Sequence, residues 1–520
     1  MSDPIRRSDR GGAGFKPAPT LTGNDLTPDL VAQVARDHAR VDIDPAAASR
    51  LKASRAVVER FLAEDRPVYG LTTGLGPRAT MRLPQETLAE FSRLTVLGRA
   101  QAVGPRLSED VVRAAMLIRA NGMVKGGAGV QPSVPEMLVA MLNAGVHPVM
   151  PAIASIGAAD LCLMAHIGLA AIGEGEAVHH GETLPAAEAL KRAGLQPLEL
   201  GPKDGLALCS ANAVSAGQGA LALSDATALS TLLDLAAALS MEGFRANLSP
   251  IDPRIAAARP APGQEAAAAH LRALLAGGAL TEPGAARRVQ DPISLRCVSH
   301  VHGSLRAALD FAAPALQAEL NGAGDNPLVL VEDGEMLSTG NFHTPALALA
   351  FDTAGLAISQ TATLLVNRIT RLLTERLSDL PAMLSPRAPT RSGFGPLTKT
   401  AEALAAEIRH LANPVSIDSR GGIDVEDDST NAPLAARKLA DMLERLRLLV
   451  ALELVVATQA VDLAKVTRLG RGTAIAHAIV RELVQPLDED RPLGGDIERV
   501  AAEALASGRL LAAVRAVLSE

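Results

Sequence analysis

Aromatic side chains are nearly missing from this chain: among 520 residues there is no tryptophan, one tyrosine and eight phenylalanines. The charge balance argues against nucleic acid as a partner, because a formal net charge of -7 is the wrong sign for a phosphate backbone. Cysteine is scarce as well. Cys162, Cys209 and Cys297 show neither metal-ligand nor disulfide spacing, which excludes a disulfide scaffold and fits a reducing compartment. The N-terminus is polar and arginine-rich, without the apolar core of a signal peptide. No apolar run reaches the length of a membrane span before glycine or a charge interrupts it. These absences predict a soluble cytoplasmic protein with no nucleic-acid and no membrane partner.

What the chain does hold is alanine and leucine, which favour helix. Residues 1–22 mix charge, glycine and proline and read as a disordered tail. LTPDLVAQVARDHARV and the segment opened by Asp44-Pro45 read as two helices, and residues 86–143 read as helical throughout. SLRAALDFAAPALQAEL, the run from Leu347 to Leu377 and the run from Leu434 to Ala464 are long apolar helices. In the last, Leu439, Leu443, Leu446, Val450 and Ala457 recur at steps of three and four or their multiples, and from Leu448 to Ala457 only Glu453 is charged. Burial on most sides is expected there. The fold class is mainly α with a central bundle of long helices, divided into residues 23–225 (N-terminal domain) and 226–520 (helical-bundle domain).

Around this frame sit short stretches of unusual composition. PAIASIGAADLCLMAH, from Pro151 to His166, is rich in glycine and alanine and almost uncharged. Small residues packed this densely mark a close approach of backbone to backbone or to a ligand. VYGLTTGLG (68–76) is a glycine-punctuated loop holding Tyr69, and further stretches are GLALCSANAV, VQDPISLRC, ELNGAGDNP and TGNFHTP. Metal chemistry has little support, since His300 and His302 do not share a helical face and no third ligand follows. The cysteines lack an evident histidine base and read as small buried hydrophobes.

Together these stretches resemble the aromatic amino acid ammonia-lyases, over nearly the whole chain. The resemblance implies the ammonia-lyase-like fold, a homotetramer with sites shared between subunits, and a small amino-acid-like substrate. It makes Tyr69 the catalytic base and Arg296 the anchor of the substrate carboxylate, for which a planar guanidinium is suited. It places Asn321, Phe342, Glu407, Arg99 and Ser210 around the substrate, with Asn326 and Asn341 close by. In that family an internal Ala-Ser-Gly cyclises and dehydrates into an electrophilic methylidene-imidazolone. Here Ala158-Ala159-Asp160 stands in its place: Ala159 has no hydroxyl to lose, and Asp160 replaces the glycine whose nitrogen closes the ring. The supporting asparagine has become Ser210 and a helping tyrosine has become Ile293. No cofactor is therefore expected. The resemblance to the ergothionase-type branch implies a carbon–nitrogen lyase that expels trimethylamine from a betaine such as ergothioneine, giving thiourocanate, although so few rings leave little for an aromatic cage. An inactive paralogue with a structural role, or a different proton abstraction on the same scaffold, stands as the alternative.

Overall fold

The structure, a computed structural model, describes residues 19–417 and 425–519. Residues 1–18 of the expected tail lie outside the described residues. From Thr20 the chain is already paired, Thr20–Leu21 running parallel to Asp42–Ile43.

Eight helices carry the architecture: α1 (Leu88–Arg99), α2 (Glu109–Val124), α3 (Leu161–Ala171), α4 (Ala213–Phe244), α5 (Val298–Asn321), α6 (Pro345–Leu373), α7 (Leu397–Leu411) and α8 (Ala432–Leu463). The fold is mainly helical, as the sequence predicts. At 32 residues each, α4 and α8 are about 48 Å long at 1.5 Å per residue, and they pack along one another with α6 against α8. Every residue of α8 from Leu449 to Val461 is buried, so the expected burial on most sides holds. The one charge in that stretch, Glu453, is fully buried. It accepts two hydrogen bonds from Arg368 of α6, at 2.7 and 2.9 Å, and one from Ser240 of α4 at 2.8 Å. The expected boundary between residues 225 and 226 falls inside α4.

The earlier helix opens where expected, with the Asp44 side chain accepting from Ala46 N–H and Pro45 in the first turn of Pro45–Ala63. Residues 86–143 are not one helical run. Strand Val103–Arg106 and the KGGAG loop interrupt them, leaving α1, α2 and Ser133–Ala144. The glycines of that loop and Pro105 supply backbone that a helix cannot keep. Likewise α6 ends at Leu373, and Thr374 takes an extended conformation before a last turn at Glu375–Ser378. Small antiparallel ladders edge the bundle: Val146–Pro148, Glu176–His179 and Glu182–Pro185 form three strands, the last two joined across His180-Gly181, both at positive φ as a tight hairpin requires. Two helical segments, Asp204–Phe244 and Pro345–Leu373, are long and apolar enough to cross a membrane, which corrects the sequence expectation. The chain itself buries 72% and 61% of their apolar windows, so both serve as core helices.

Candidate functional site

Helix α3 begins inside the glycine- and alanine-rich stretch, and the first turn of α4 is tied to it through Asp160 and Ser215. The loop of that stretch is clamped from several sides. Ala159 N–H donates to Phe342 O at 3.1 Å, and Asp160 N–H donates to Ala211 O at 2.8 Å. Gly157 has φ +85, and a Cβ there would lie 2.0 Å from Thr430 Oγ1, so this position takes only glycine. Asp160 is wholly buried. Its carboxylate accepts from Ser215 N–H at 2.7 Å and Ser215 Oγ–H at 2.8 Å, at the buried N-terminal end of α4, where negative charge is favoured. Burial nevertheless pushes its acid up to about 6.

A cavity of about 340 Å³ opens on the front of this loop, with Ala158 and Ala159 in its wall. Four residues singled out in the sequence meet there: Tyr69, Arg99, Ser210 and Phe342. Tyr69 comes from the glycine loop after Pro45–Ala63, and its oxygen accepts from Gly76 N–H at 3.0 Å. Arg99 ends α1. This helix is drawn tight against the turn before Ser210, where Gly205 would place a Cβ 1.9 Å from Ser92 O. Asn326 also lines the cavity, together with Leu206, Thr339 and Glu426.

Three residues go elsewhere. Asn321 spends its amide on architecture: Oδ1 accepts from Leu26 N–H at 2.8 Å and Asn121 Nδ2 at 3.3 Å, and Nδ2 donates to Leu26 O at 2.9 Å. Glu407 lies on the solvated face of α7 and pairs with Arg445 of α8 at 2.5 Å, its side chain 60% exposed. The carboxylate in the cavity wall is Glu426 instead, which sequence reasoning missed. Its signal was the acidic run Glu426-Asp427-Asp428 just ahead of α8, more acid than one surface turn needs. Arg296 ends the short helix Ile293–Arg296, half-buried and outside the cavity. Its Nε is buried with no hydrogen-bond partner among the described residues. Nearby Asp291 spends a carboxylate oxygen on Asn247 N–H at 2.6 Å.

The residues present do not fit a methylidene-imidazolone. Positions 157–160 carry no hydroxyl, and the Asp160 nitrogen that would close the ring is committed to Ala211 O. Ser155 does have a hydroxyl, but Ile156 follows it rather than glycine. Burial pushes the Cys209 thiol up to about 12 and raises that of Cys162 as well, which keeps these two protonated. Among the described residues one histidine–carboxylate group has metal-ligand proximity, His38, Glu109 and His147. There Arg113 Nη1 lies 2.8 Å from His147 Nε2. A guanidinium can only donate, so the ring proton sits on Nδ1, the nitrogen that would have to face an ion.

Comparison with known proteins gives consistent results. Residues 26–482 match the profile of the family described as aromatic amino acid lyase. A histidine ammonia-lyase of Stigmatella aurantiaca is 41% identical over 506 residues, covering 96% of this chain and 98% of the relative. One from Myxococcus xanthus is 39% identical over 96% and 99%. Among solved structures, an ergothionase from Treponema denticola superposes with TM-score 0.91 at 32% identity, covering 95% of this chain and all of that one (100%). A histidine ammonia-lyase from Trypanosoma cruzi gives 0.89 at 31%, covering 96% and 95%. The expectation of trimethylamine expelled from ergothioneine is corrected here. Full-length relatives near 40% identity are named for ammonia and histidine.

Proposed function

Since the chain belongs to the aromatic amino acid lyase family, we propose that it is a carbon–nitrogen lyase eliminating ammonia from a histidine-type amino acid, and that it does so without a methylidene-imidazolone. The observation that carries this reading is the front cavity, where the only tyrosine shares a small chamber with one guanidinium and one carboxylate. In this reading Tyr69, as phenolate, removes a proton from the substrate β-carbon. The freed electron pair forms the Cα–Cβ double bond, the Cα–N bond breaks, and the ammonium nitrogen leaves as neutral ammonia. The products are an α,β-unsaturated acid and ammonia, with the proton left on Tyr69. The Gly76 N–H supplies a hydrogen bond to the phenolic oxygen. Arg99 is suited to the substrate carboxylate, and Glu426 to an imidazole N–H. Phe342 supplies an apolar flank for the ring.

Assembly belongs to the same proposal. Arg296 has an unmet buried nitrogen outside the cavity, and Ile293, Phe311, Leu349 and Leu356 leave large apolar side chains exposed at 61%, 52%, 50% and 47%. Exposed apolar area of this kind favours association. A homotetramer would cover these side chains and let Arg296 of one copy serve the cavity of another.

The test combines turnover and mass. Purified protein incubated with histidine should release ammonia and the unsaturated imidazole acid in equal amounts, while its intact mass equals that of the unmodified chain. A mass deficit of two water molecules localised to residues 154–162 would falsify the prosthetic-group-free reading. Absence of both products, with no thermal stabilisation by histidine, would move the chain to the inactive paralogues.

A further inference from the structure

Where α4 and α8 run side by side, a groove of about 470 Å³ opens that the proposed elimination does not use. Helical spacing builds two of its walls. Gln218, Leu221, Ala222 and Asp225 form one face of α4, and Arg437, Ala440, Asp441 and Glu444 form one face of α8. Most of the charges there are spent on one another. Arg36 donates to Asp225 at 2.7 and 3.0 Å and to Asp110 at 3.3 Å. Arg447 stands 3.6 Å from Asp225, and Arg106 pairs with Glu176 at 3.4 Å.

Arg437 and Asp441 are not spent. Arg437, half-buried, gives one nitrogen to Ala152 O at 2.9 Å and pairs with no carboxylate among the described residues. The Asp441 carboxylate lies one turn further along α8 and accepts no hydrogen bond from any described residue. Burial raises its acid, against the pull of Arg445 and Arg437. By themselves these two would be a solvated pair. Gln218 argues otherwise. It is 8% exposed, with Leu221 and Ala222 at 3% beside it, and its amide has no hydrogen-bond partner among the described residues. Neither amide atom is sealed off, so both open into the groove. A buried donor and acceptor therefore share one space with two unspent charges, and buried polar groups rarely stay unpaired.

We propose that this groove binds an α-amino acid with an apolar side chain, its carboxylate on Arg437 and its ammonium on Asp441. The Gln218 amide donates to the first and accepts from the second, while Leu107, Val111 and Leu443 flank the side chain. A simple anion would lie beside the Asp441 carboxylate, and a simple cation beside the Arg437 guanidinium. The opposite charges sit four residues apart on α8, about 6 Å along its axis. An α-amino acid with a hydrogen bond at each end spans such a gap. The inference does not rest on the proposed elimination, because binding here requires no chemistry. It reaches the front cavity through the two helices all the same. Ser215 of α4 holds Asp160, and Thr430, just ahead of α8, donates to Gly157 O at 3.0 Å. An occupant that ties Gln218 to Arg437 braces both supports of that loop.

Leucine is the probe. Equilibrium dialysis of the full chain with labelled leucine should show saturable binding, and Arg99→Ala, which alters the front cavity, should leave that binding unchanged. Asp441→Asn, nearly isosteric, should weaken leucine by about tenfold or more, as loss of a charged hydrogen bond does. Gln218→Leu should do the same where circular dichroism shows an intact fold. Isopentylamine lacks the carboxylate and 4-methylpentanoate lacks the ammonium, so each should compete about tenfold more weakly than unlabelled leucine. No saturable binding, binding lost in Arg99→Ala, unchanged affinity in either groove variant, or equal competition by either fragment would each overturn the proposal. All of these are read as binding, so a chain that fails to turn over histidine leaves them in force.

Discussion

Replacing Tyr69 by phenylalanine removes an oxygen whose described hydrogen bond comes from Gly76 N–H, so the fold should survive the change. If Tyr69 is the base, turnover of histidine should fall by about 10² to 10⁴, the usual cost of losing a general base, with an unchanged circular dichroism spectrum. Near-normal activity would remove the assignment. Two glutamates offer a sharper comparison. Glu426→Gln should weaken substrate by roughly tenfold or more, since hydrogen bonds to charged groups are worth about 1.5–3 kcal/mol. Glu407→Gln alters a solvated pair with Arg445 and should leave KM within about twofold, exposed pairs being worth about 0–1 kcal/mol. The reverse ranking would restore the sequence expectation. A third residue is read through pH. The Glu319 acid, pushed up by burial to about 7, sits above the ordinary glutamate value of about 4.3. Between those values the folded state holds a proton that the unfolded chain has released, so this group makes stability fall as pH rises through that window. Glu319→Gln lacks that decline. The melting temperature of wild type minus variant should therefore drop from about pH 4.3 to 7, and a flat difference would contradict it. At this scale the sequence was half legible. Tyr69, Arg99, Ser210 and Phe342 are held by short loops and helix ends whose local pattern survives in the residues themselves. Glu407 and Glu426 could be told apart only by which stretch folds over the cavity.

The long elements were more legible than their ends. Apolar periodicity located α8 and the burial of its second half, because continuous alanine, leucine and valine have no solvated face to offer. What periodicity could not show is how Glu453 is tolerated there. The answer is non-local: Arg368 arrives from α6 and Ser240 from α4, closing all three long helices onto one carboxylate. Glu453→Ala should cost about 3–5 kcal/mol in urea denaturation, because it leaves the Arg368 guanidinium buried without its partner. Replacing both, Arg368→Met with Glu453→Leu, should recover much of that loss, as apolar replacements of buried pairs commonly do. A single variant no less stable than wild type would mean that water reaches Arg368. The interrupted helices were lost for a plainer reason. A break such as Thr374 changes one residue's backbone conformation and leaves the surrounding apolar spacing nearly unchanged.

Taken as a whole molecule, one chain assembles a front cavity but leaves Arg296 outside it. If copies complete each other's sites, two inactive variants should rescue one another. Tyr69→Phe and Arg296→Ala, unfolded together and reassembled, should regain a measurable fraction of wild-type activity, while each alone regains none. No rescue in mixed assemblies of verified composition would place Arg296 in the service of its own chain. The near absence of rings has a further consequence. With no tryptophan and a single tyrosine, this protein is almost dark in the near ultraviolet, and phenylalanine adds little. The one bright chromophore in 520 residues is the side chain in the wall of the front cavity. Its absorption and fluorescence therefore report that chamber, against only the weak background of the phenylalanines. Phenolate formation, ligand arrival and quenching by a neighbouring carboxylate could all be followed on the native chain, with no label introduced.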